Sequence, residues 1–460
     1  MLSETLRTHG KSMNPFFAVI AACSITFFAA CKKDFNEVKS LAATDFSDAG
    51  TRSKTNILIL LSDDVGYEVP TCDGGTSYST PNIDMLAQGG KRFTQCHATP
   101  KCTPSRVMLL TGKYNFRNYT DFGILDTTNK TFANMFANAG YATCYAGKWQ
   151  LDGGDASIRK FGFDRYSVWL PFKICPEEAE GSRYKSAKMY QDGGYLPQEF
   201  TDNKYSEDML SDYVLHFMDS NKTKPFFIYY AMILCHKAFS PTPDDPEYAS
   251  WVADPFVSDT AYFPSMVKYM DKKIGMIVDK IKSLGLDDNT AIFYIGDNGT
   301  PKYITSLFKN KSIPGGKGST IDYGIHVPLI CKWPGKIAPG TINGSLIDFT
   351  DFLPTFAGVA NISVPLYGIL DGKSFYPQLK GRIGTPRSSI FTHFNPLTCG
   401  GHDNLVRYAQ DSSYKLYGTG EFYRFSKDIN EENPLADSAL TTKQKQVKQN
   451  LQNVLNSMHN

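Results

Sequence analysis

No CxxC pair occurs anywhere in this 460-residue sequence, although it holds ten cysteines. That absence excludes zinc ribbons and thioredoxin-like redox motifs. Setting aside Cys23, Cys31 and Cys102 leaves seven, an odd number, spread thinly over a long chain. They read as buried small hydrophobes with a bridge or two rather than as a disulfide framework. Net charge is nearly absent too: +2 overall gives no global field for nucleic acid or an anionic membrane surface. Any preference for anions must therefore be local. There is no internal repeat and no low-complexity block. A phosphate loop is excluded at GGKGS (315–319), because the motif would need glycine where Lys311 stands and Ser or Thr where Gly318 stands. Cys96-His97 has no second ligand pair at a zinc spacing.

The only long apolar run is N-terminal. Arg7, His9 and Lys11 precede Phe16 to Ala30, too short for a comfortable permanent span and suited to an export signal. The run ends in FAACKKD, which resembles a bacterial lipoprotein signal with Cys31 as the lipidated first residue. IAAC, ending at Cys23, is a competing match, and a plain secretory signal is the simpler reading. Residues 1–31 are thus expected to be a leader and 32–54 a polar tether. The expected location is exported, in the periplasm or on the outer membrane as a lipid-anchored protein.

Beyond residue 54, NILILLS (56–62), YATCYAG (141–147), FFIYYAMI (226–233), TAIFYIG (290–296) and VPLICKW (327–333) are continuous apolar runs, as strands buried on both faces require. Thr80-Pro81 opens a helix that closes near Gly89-Gly90. Phe263, Met266, Met270, Ile274, Ile277, Ile281 and Leu284 recur at helical spacing. Strands alternating with helices predict an α/β fold: a large mixed, mostly parallel sheet sandwiched by helices, over 55–380. From 381 to 460 short strands (SSIFTHF, NLVRYAQ, YKLYGT) and a polar helix at 441–458 predict a smaller C-terminal antiparallel-sheet subdomain.

The functional reading comes from the residues at the strand ends. NILILLS runs into Asp63-Asp64, YATCYAG into Lys148, FFIYYAMI through Leu234 and Cys235 into His236, and TAIFYIG into Asp297-Asn298. Parallel strands would bring these groups to one sheet edge, where open α/β sheets bind ligands. Any one alone is ordinarily a turn or cap residue. Asp63, Asp64, Asp297 and Asn298 offer hard oxygen ligands, suited to Ca²⁺ or Mg²⁺ rather than zinc. Lys148, Arg106 and Lys317 have no evident carboxylate partner in sequence, and with a metal they would form an anion pocket. In KCTPSRVMLLTG (101–112), Pro104 suits a first helical turn, which puts Cys102 just before a helix start that favours negative charge. A thiolate there would be activated, whereas a buried structural cysteine is the plain alternative.

CTPSR with LTG at 110–112, NILILLSDDVG, AGKWQL, YMDKKIGMIVDKIKSLGLDDNTAIFYIGDNG and GGKGSTIDYGIHVPLICKWPG occur in one order. Together they resemble the formylglycine-dependent sulfatases of the alkaline-phosphatase superfamily, over roughly residues 55–380. The resemblance implies that a maturation enzyme oxidises Cys102 to formylglycine. It implies that Asp63, Asp64, Asp297 and Asn298 hold a divalent metal, usually calcium, with modified Cys102 also at the metal. Arg106 would hold the formylglycine and its neighbouring charge, Lys148 and Lys317 the sulfate oxygens, and His236 would protonate the leaving alcohol. The implied substrate is a sulfate ester, most naturally of a sulfated glycan, and no nucleic acid is involved. The hydrated aldehyde attacks sulfur with one hydroxyl and expels sulfate with the other, which a thiol cannot do. Metal and cations stabilise charge in the transition state.

One departure stands out. The family motif usually reads GKWH; here Gln150 takes the histidine's place, and it cannot accept a proton near neutral pH. YNFRNY (114–119) also lacks the family's frequent histidine after LTG. His97 and Lys101 could support the signature, and His393 and His402 could line a substrate cleft, though histidines amid aromatics are more often structural. There are two rival readings. One is a phosphoester or phosphonate hydrolase of the same superfamily, although the extra Asp and His ligands of two-metal phosphatases have no place here. The other is a non-catalytic binder of sulfated glycans that lost turnover through Gln150. Substrate, sulfate position, endo or exo action and oligomeric state leave no mark in the sequence.

Overall fold

The computed structural model describes residues 54–119, 121–364, 368–395 and 405–458. The leader with Cys23 and Cys31, the tether up to Ser53, and His402 lie outside them. Seven strands make the body: β1 Asn56–Ser62, β2 Lys91–His97, β3 Ala142–Lys148, β4 Arg165–Trp169, β5 Phe226–Ala231, β6 Thr290–Gly296 and β7 His326–Lys332. Their spatial order is β2-β7-β6-β1-β5-β3-β4, with short strands completing an eleven-stranded sheet. From β6 through β1, β5 and β3 to β4 every pairing is parallel, while β7 runs antiparallel to both β6 and β2.

The central strands β1, β5 and β6 are buried at every position because helices cover both faces. Ile57, Ile59 and Leu61 of β1 pack on one side with α2 (Cys102–Thr111), α3 (Phe132–Asn138), α6 (Phe352–Ala360) and α7 (Thr442–Ser457). Leu58 and Leu60 pack on the other with α1 (Pro81–Gln88), α4 (Ser206–Asn221) and α5 (Phe263–Ser283). Met266, Met270, Ile274, Ile277 and Ile281 form the buried face of α5, as their spacing predicts. Each such side chain contributes about 1.5–3 kcal/mol by leaving water.

The expected strand over 226–233 stops at Ala231. The reason is tertiary: the backbone N–H groups of Ile233 and Leu234 donate to Glu207 Oε2 (3.0 and 3.3 Å) instead of to a neighbouring strand. The C-terminal strands β8 (Ile390–Phe394), β9 (Val406–Gln410), β10 (Lys415–Tyr417) and β11 (Phe422–Tyr423) form a separate antiparallel sheet. Its inward residues Phe391, Ala409, Leu416 and Phe422, with Leu451 and Leu455 of α7, join the same apolar cluster as Ile57. Two sheets therefore share one core. Among the described cysteines six are free thiols and Cys175 is disulfide-bonded. No helix of the described residues is long and apolar enough to cross a membrane.

Candidate active site

Because β6, β1, β5 and β3 are neighbouring and parallel, the segments leaving them meet at one edge. They are stitched together: Asp63 N donates to Leu234 O (2.9 Å), Cys235 N to Asp63 O (2.7 Å) and Asp297 N to Ser62 O (3.1 Å). Gly147 sets the depth of Lys148. Its φ is +112°, and a Cβ there would lie 1.8 Å from Ala231 O on β5, so only glycine lets the two strands close.

Asp63, Asp64, Asp297 and Asn298, all fully buried, converge with the three cations that sequence left unpaired. Lys148 Nζ donates to Asp63 Oδ2 (2.8 Å), and Lys317 Nζ is 2.7 Å from both oxygens of Asp64. Arg106 donates to Asp297 Oδ2 through Nε (3.0 Å) and Nη2 (2.8 Å), and to Lys148 O through Nη1 (3.2 Å). Burial alone would push the Asp63 carboxyl up, but Lys148, Arg106 and Lys317 outweigh it and hold it below its usual range. Asp297 is pushed up to about 7, by burial and then by the Asp63 charge. Three carboxylates this close cannot all stay ionised without more positive charge than these side chains give Asp297.

Two orphaned atoms point to where that charge belongs. Asp63 Oδ1 and Asn298 Oδ1 are buried with no hydrogen-bond partner. Asn298 Nδ2 is already used, donating to Asp64 Oδ1 (2.8 Å) and Gly299 O (2.9 Å), so its oxygen stays free. Donor atoms of Asp63, Cys102 and Asp297, and of Asp63, Asp64 and His236, lie within 4.8 Å of one another. A buried set dominated by carboxylate and amide oxygens fits a hard divalent cation such as Ca²⁺.

Cys102 is the first residue of α2 rather than preceding it, and it is buried. Its Sγ accepts from Lys148 Nζ (3.5 Å) and donates to Gln150 Oε1 (3.3 Å), which also accepts from Thr103 Oγ1 (2.5 Å). Arg106 reaches Asp297 rather than the Cys102 side chain. His236 Nδ1 is 2.6 Å from Lys237 O and its Nε2 3.7 Å from Asp64 Oδ2. With Nδ1–H donating to that carbonyl, a neutral ring turns a lone pair at Nε2 toward the cluster. Burial, then Arg183, Lys317 and Lys148, hold the ring well below its ordinary range.

The other candidates stand apart. His97 stacks on His326 at 5.0 Å, and His393 lies against Phe116 at 5.7 Å. Sequence reasoning missed Glu177 and Arg183. Gln150 Nε2 donates to Glu177 Oε1, Arg183 Nη2 donates to Glu177 Oε2 (3.2 Å), and Arg183 lies 4.5 Å over the Trp169 ring. Both sit in the irregular stretch between β4 and α4, which has no periodicity to flag them.

A family model described as Sulfatase matches residues 55–362, and one described as N-sulphoglucosamine sulphohydrolase, C-terminal, matches 317–460. Arylsulfatase A of Bos taurus is 30% identical over 371 residues, covering 74% of this chain and 70% of that protein. N-acetylgalactosamine-6-sulfatase of Mus musculus is 28% identical over 389 residues, 77% and 72% of the two chains. Among solved structures, a complex with its substrate D-glucosamine-2-N,6-O-disulfate superposes with a TM-score of 0.71 at 21% identity, over 88% of this chain and 98% of the other. The phosphonate monoester hydrolase of Agrobacterium radiobacter gives 0.65 at 20% identity, over 88% and 95%. The last two establish a shared fold. On the family match and the identity to the curated relatives, this chain belongs to the sulfatase family and is a sulfuric ester hydrolase.

Proposed function

We propose that this sulfatase cleaves sulfate esters of glycans, using a formylglycine made from Cys102 and a divalent cation, Ca²⁺ in preference to Mg²⁺. One observation carries the reading: buried Asp63, Asp64, Asp297 and Asn298 gather beside Cys102 with Lys148 and Lys317 on the same edge. Asp63, Asp64, Asp297, Asn298 and the side chain of residue 102 would hold the cation, which when bound supplies Lewis-acid charge at a sulfuryl oxygen. Hydrated formylglycine supplies a nucleophilic hydroxyl and a second hydroxyl for sulfate release.

The remaining work falls to the chain's own groups. Lys148 and Lys317 exchange their carboxylates for sulfate oxygens and stabilise the charge that builds there. Arg106 holds Asp297 in place. His236 gives a proton to the leaving alcohol. Burial and then the nearby cations keep its ring neutral, and the substrate's own negative charge would offset the cations' share. Gln150 orients the side chain of residue 102 as an acceptor but takes no proton.

A glycan substrate is supported by the relatives: one is named for N-acetylgalactosamine 6-sulfate, and solved neighbours hold D-glucosamine-2-N,6-O-disulfate and neocarrahexaose. The leader sequence supports export with a lipid anchor, and a maturation enzyme for Cys102 is the implied partner. The proposed organisation is a catalytic domain over 55–380 and a C-terminal subdomain over 381–460. The test pairs mass spectrometry of the Cys102 peptide, after co-production with a maturation enzyme, with sulfate and phosphate release from matched aryl esters. An aldehyde at 102 with sulfate release is expected. Phosphate release alone selects the phosphoester rival, and glycan binding without turnover selects the binder.

A further inference from the structure

We propose that Glu177 is a positioning residue that fixes the amide of Gln150, so that its oxygen rather than its nitrogen faces residue 102. A glutamine side chain has one accepting and one donating end, and its surroundings choose between the two orientations. Here the choice is forced from the far side. Gln150 Nε2 donates to Glu177 Oε1, and an ionised carboxylate can only accept. The reversed amide would set oxygen against oxygen. With the nitrogen held, Oε1 faces Cys102 Sγ (3.3 Å) and Thr103 Oγ1 (2.5 Å), both of which donate to it.

Glu177 is itself clamped. Its second oxygen accepts from Arg183 Nη2 (3.2 Å), and the Arg183 guanidinium rests 4.5 Å over Trp169, at the end of β4. Cys175, two residues before Glu177, is disulfide-bonded. The chain Trp169–Arg183–Glu177–Gln150–Cys102 thus runs from the sheet to the reactive position. A hydrogen bond to an anion also polarises the amide and makes its oxygen a stronger acceptor. For a hydroxyl-bearing residue 102, which rests on the function proposed above, that oxygen fixes the direction of one O–H. The orientation of the amide does not depend on that reading.

The full chain is tested in two preparations. In the first, co-produced with a maturation enzyme and with the aldehyde fraction at 102 measured, Glu177→Ala lowers kcat on an aryl sulfate by about ten- to a hundredfold, the size typical of supporting contacts. KM stays within about twofold, Glu177→Asp restores part of the rate, and Glu177→Gln, which keeps the shape, falls in between. In a Gln150→Ala background, Glu177→Ala has no further effect, because the residues act as one unit. An equal loss in both backgrounds, a loss confined to KM, or unchanged kcat in both the Ala and the Gln variant overturns the proposal. The second preparation lacks the maturation enzyme and keeps the thiol. Iodoacetamide labelling, followed by mass spectrometry of the Cys102 peptide, reads the amide directly. Glu177→Ala frees the amide to turn its nitrogen toward sulfur, so labelling quickens several-fold, and an unchanged rate overturns the proposal. If the aldehyde-bearing parent releases no sulfate, the functional reading fails while labelling still decides Glu177.

Discussion

Lys148 and Lys317 each rest on a carboxylate assigned to metal binding, so both cations are already aimed at the place where an anion would arrive. Removing either leaves the pocket folded but short of one preorganised charge. Lys148→Ala and Lys317→Ala are each expected to lower kcat/KM on an aryl sulfate by about 10²–10³-fold, the cost of one lost donor to a developing anion. Steady-state kinetics on the aldehyde-bearing enzyme checks this. Gly147→Ala acts through the backbone: the added methyl meets Ala231 O, β3 must move off β5, and Lys148 moves with it. A lowered melting temperature together with lost turnover is expected. Asp63, Asp64, Lys148, His236, Asp297 and Asn298 could be picked out in sequence because each stands at or just beyond the end of an apolar run that reads as a buried strand. Their pairings were not legible, since Lys317 and Asp64 stand 253 residues apart and no local pattern joins them. Arg183 and Glu177 escaped notice because a charged residue in an irregular stretch looks like any solvated one.

At the scale of elements, the central strands β1, β5 and β6 were readable because burial on both faces makes them continuous apolar runs. By contrast, β2 (KRFTQCH) and β4 (RYSVW) carry polar residues and offered no such run. Strand ends were less readable still. β5 ends early because Glu207, from α4, captures two N–H groups that a strand would have used, and nothing within 226–233 announces a partner from another helix. That carboxyl has a measurable signature. Burial outweighs its bonds to Tyr230, Ile233 and Leu234 and pushes it up to about 7, from an ordinary 4.5. Between those values the unfolded chain gives up a proton that the folded chain keeps. Stability therefore falls as pH rises through this window, by on the order of 3 kcal/mol, and levels off above it. Glu207→Gln is expected to remove this contribution, so that urea midpoints at about pH 5 and about pH 8 lie closer together than in the parent.

For the whole molecule, one apolar cluster spans the large sheet, the C-terminal sheet and α7, while at the sheet edge burial and the neighbouring Asp63 disfavour the charged form of Asp297 despite the cations paired there. A divalent cation bound there, as proposed above, would offset that cost in the folded state alone. Calcium at about 1,000 times its Kd is expected to add about 4 kcal/mol to stability, read as a rise in melting temperature that a chelator reverses. Asp297→Asn should abolish most of the rise. Magnesium, which demands tighter octahedral geometry, should give a smaller one.

β1 is the first strand among the described residues, yet it lies at the centre, between partners that begin at Phe226 and Thr290. A polypeptide emerging from its N-terminus must therefore carry this strand without a neighbour until Ala231 has been made, and with one side open until Gly296 follows. Until then the sheet on which α2 packs is incomplete, and with it the enclosure of residue 102, only 5% exposed in the finished protein. The wiring of the sheet thus suggests a timetable for the function proposed above: an enzyme that modifies this position would meet it most easily in the interval before the sheet is complete.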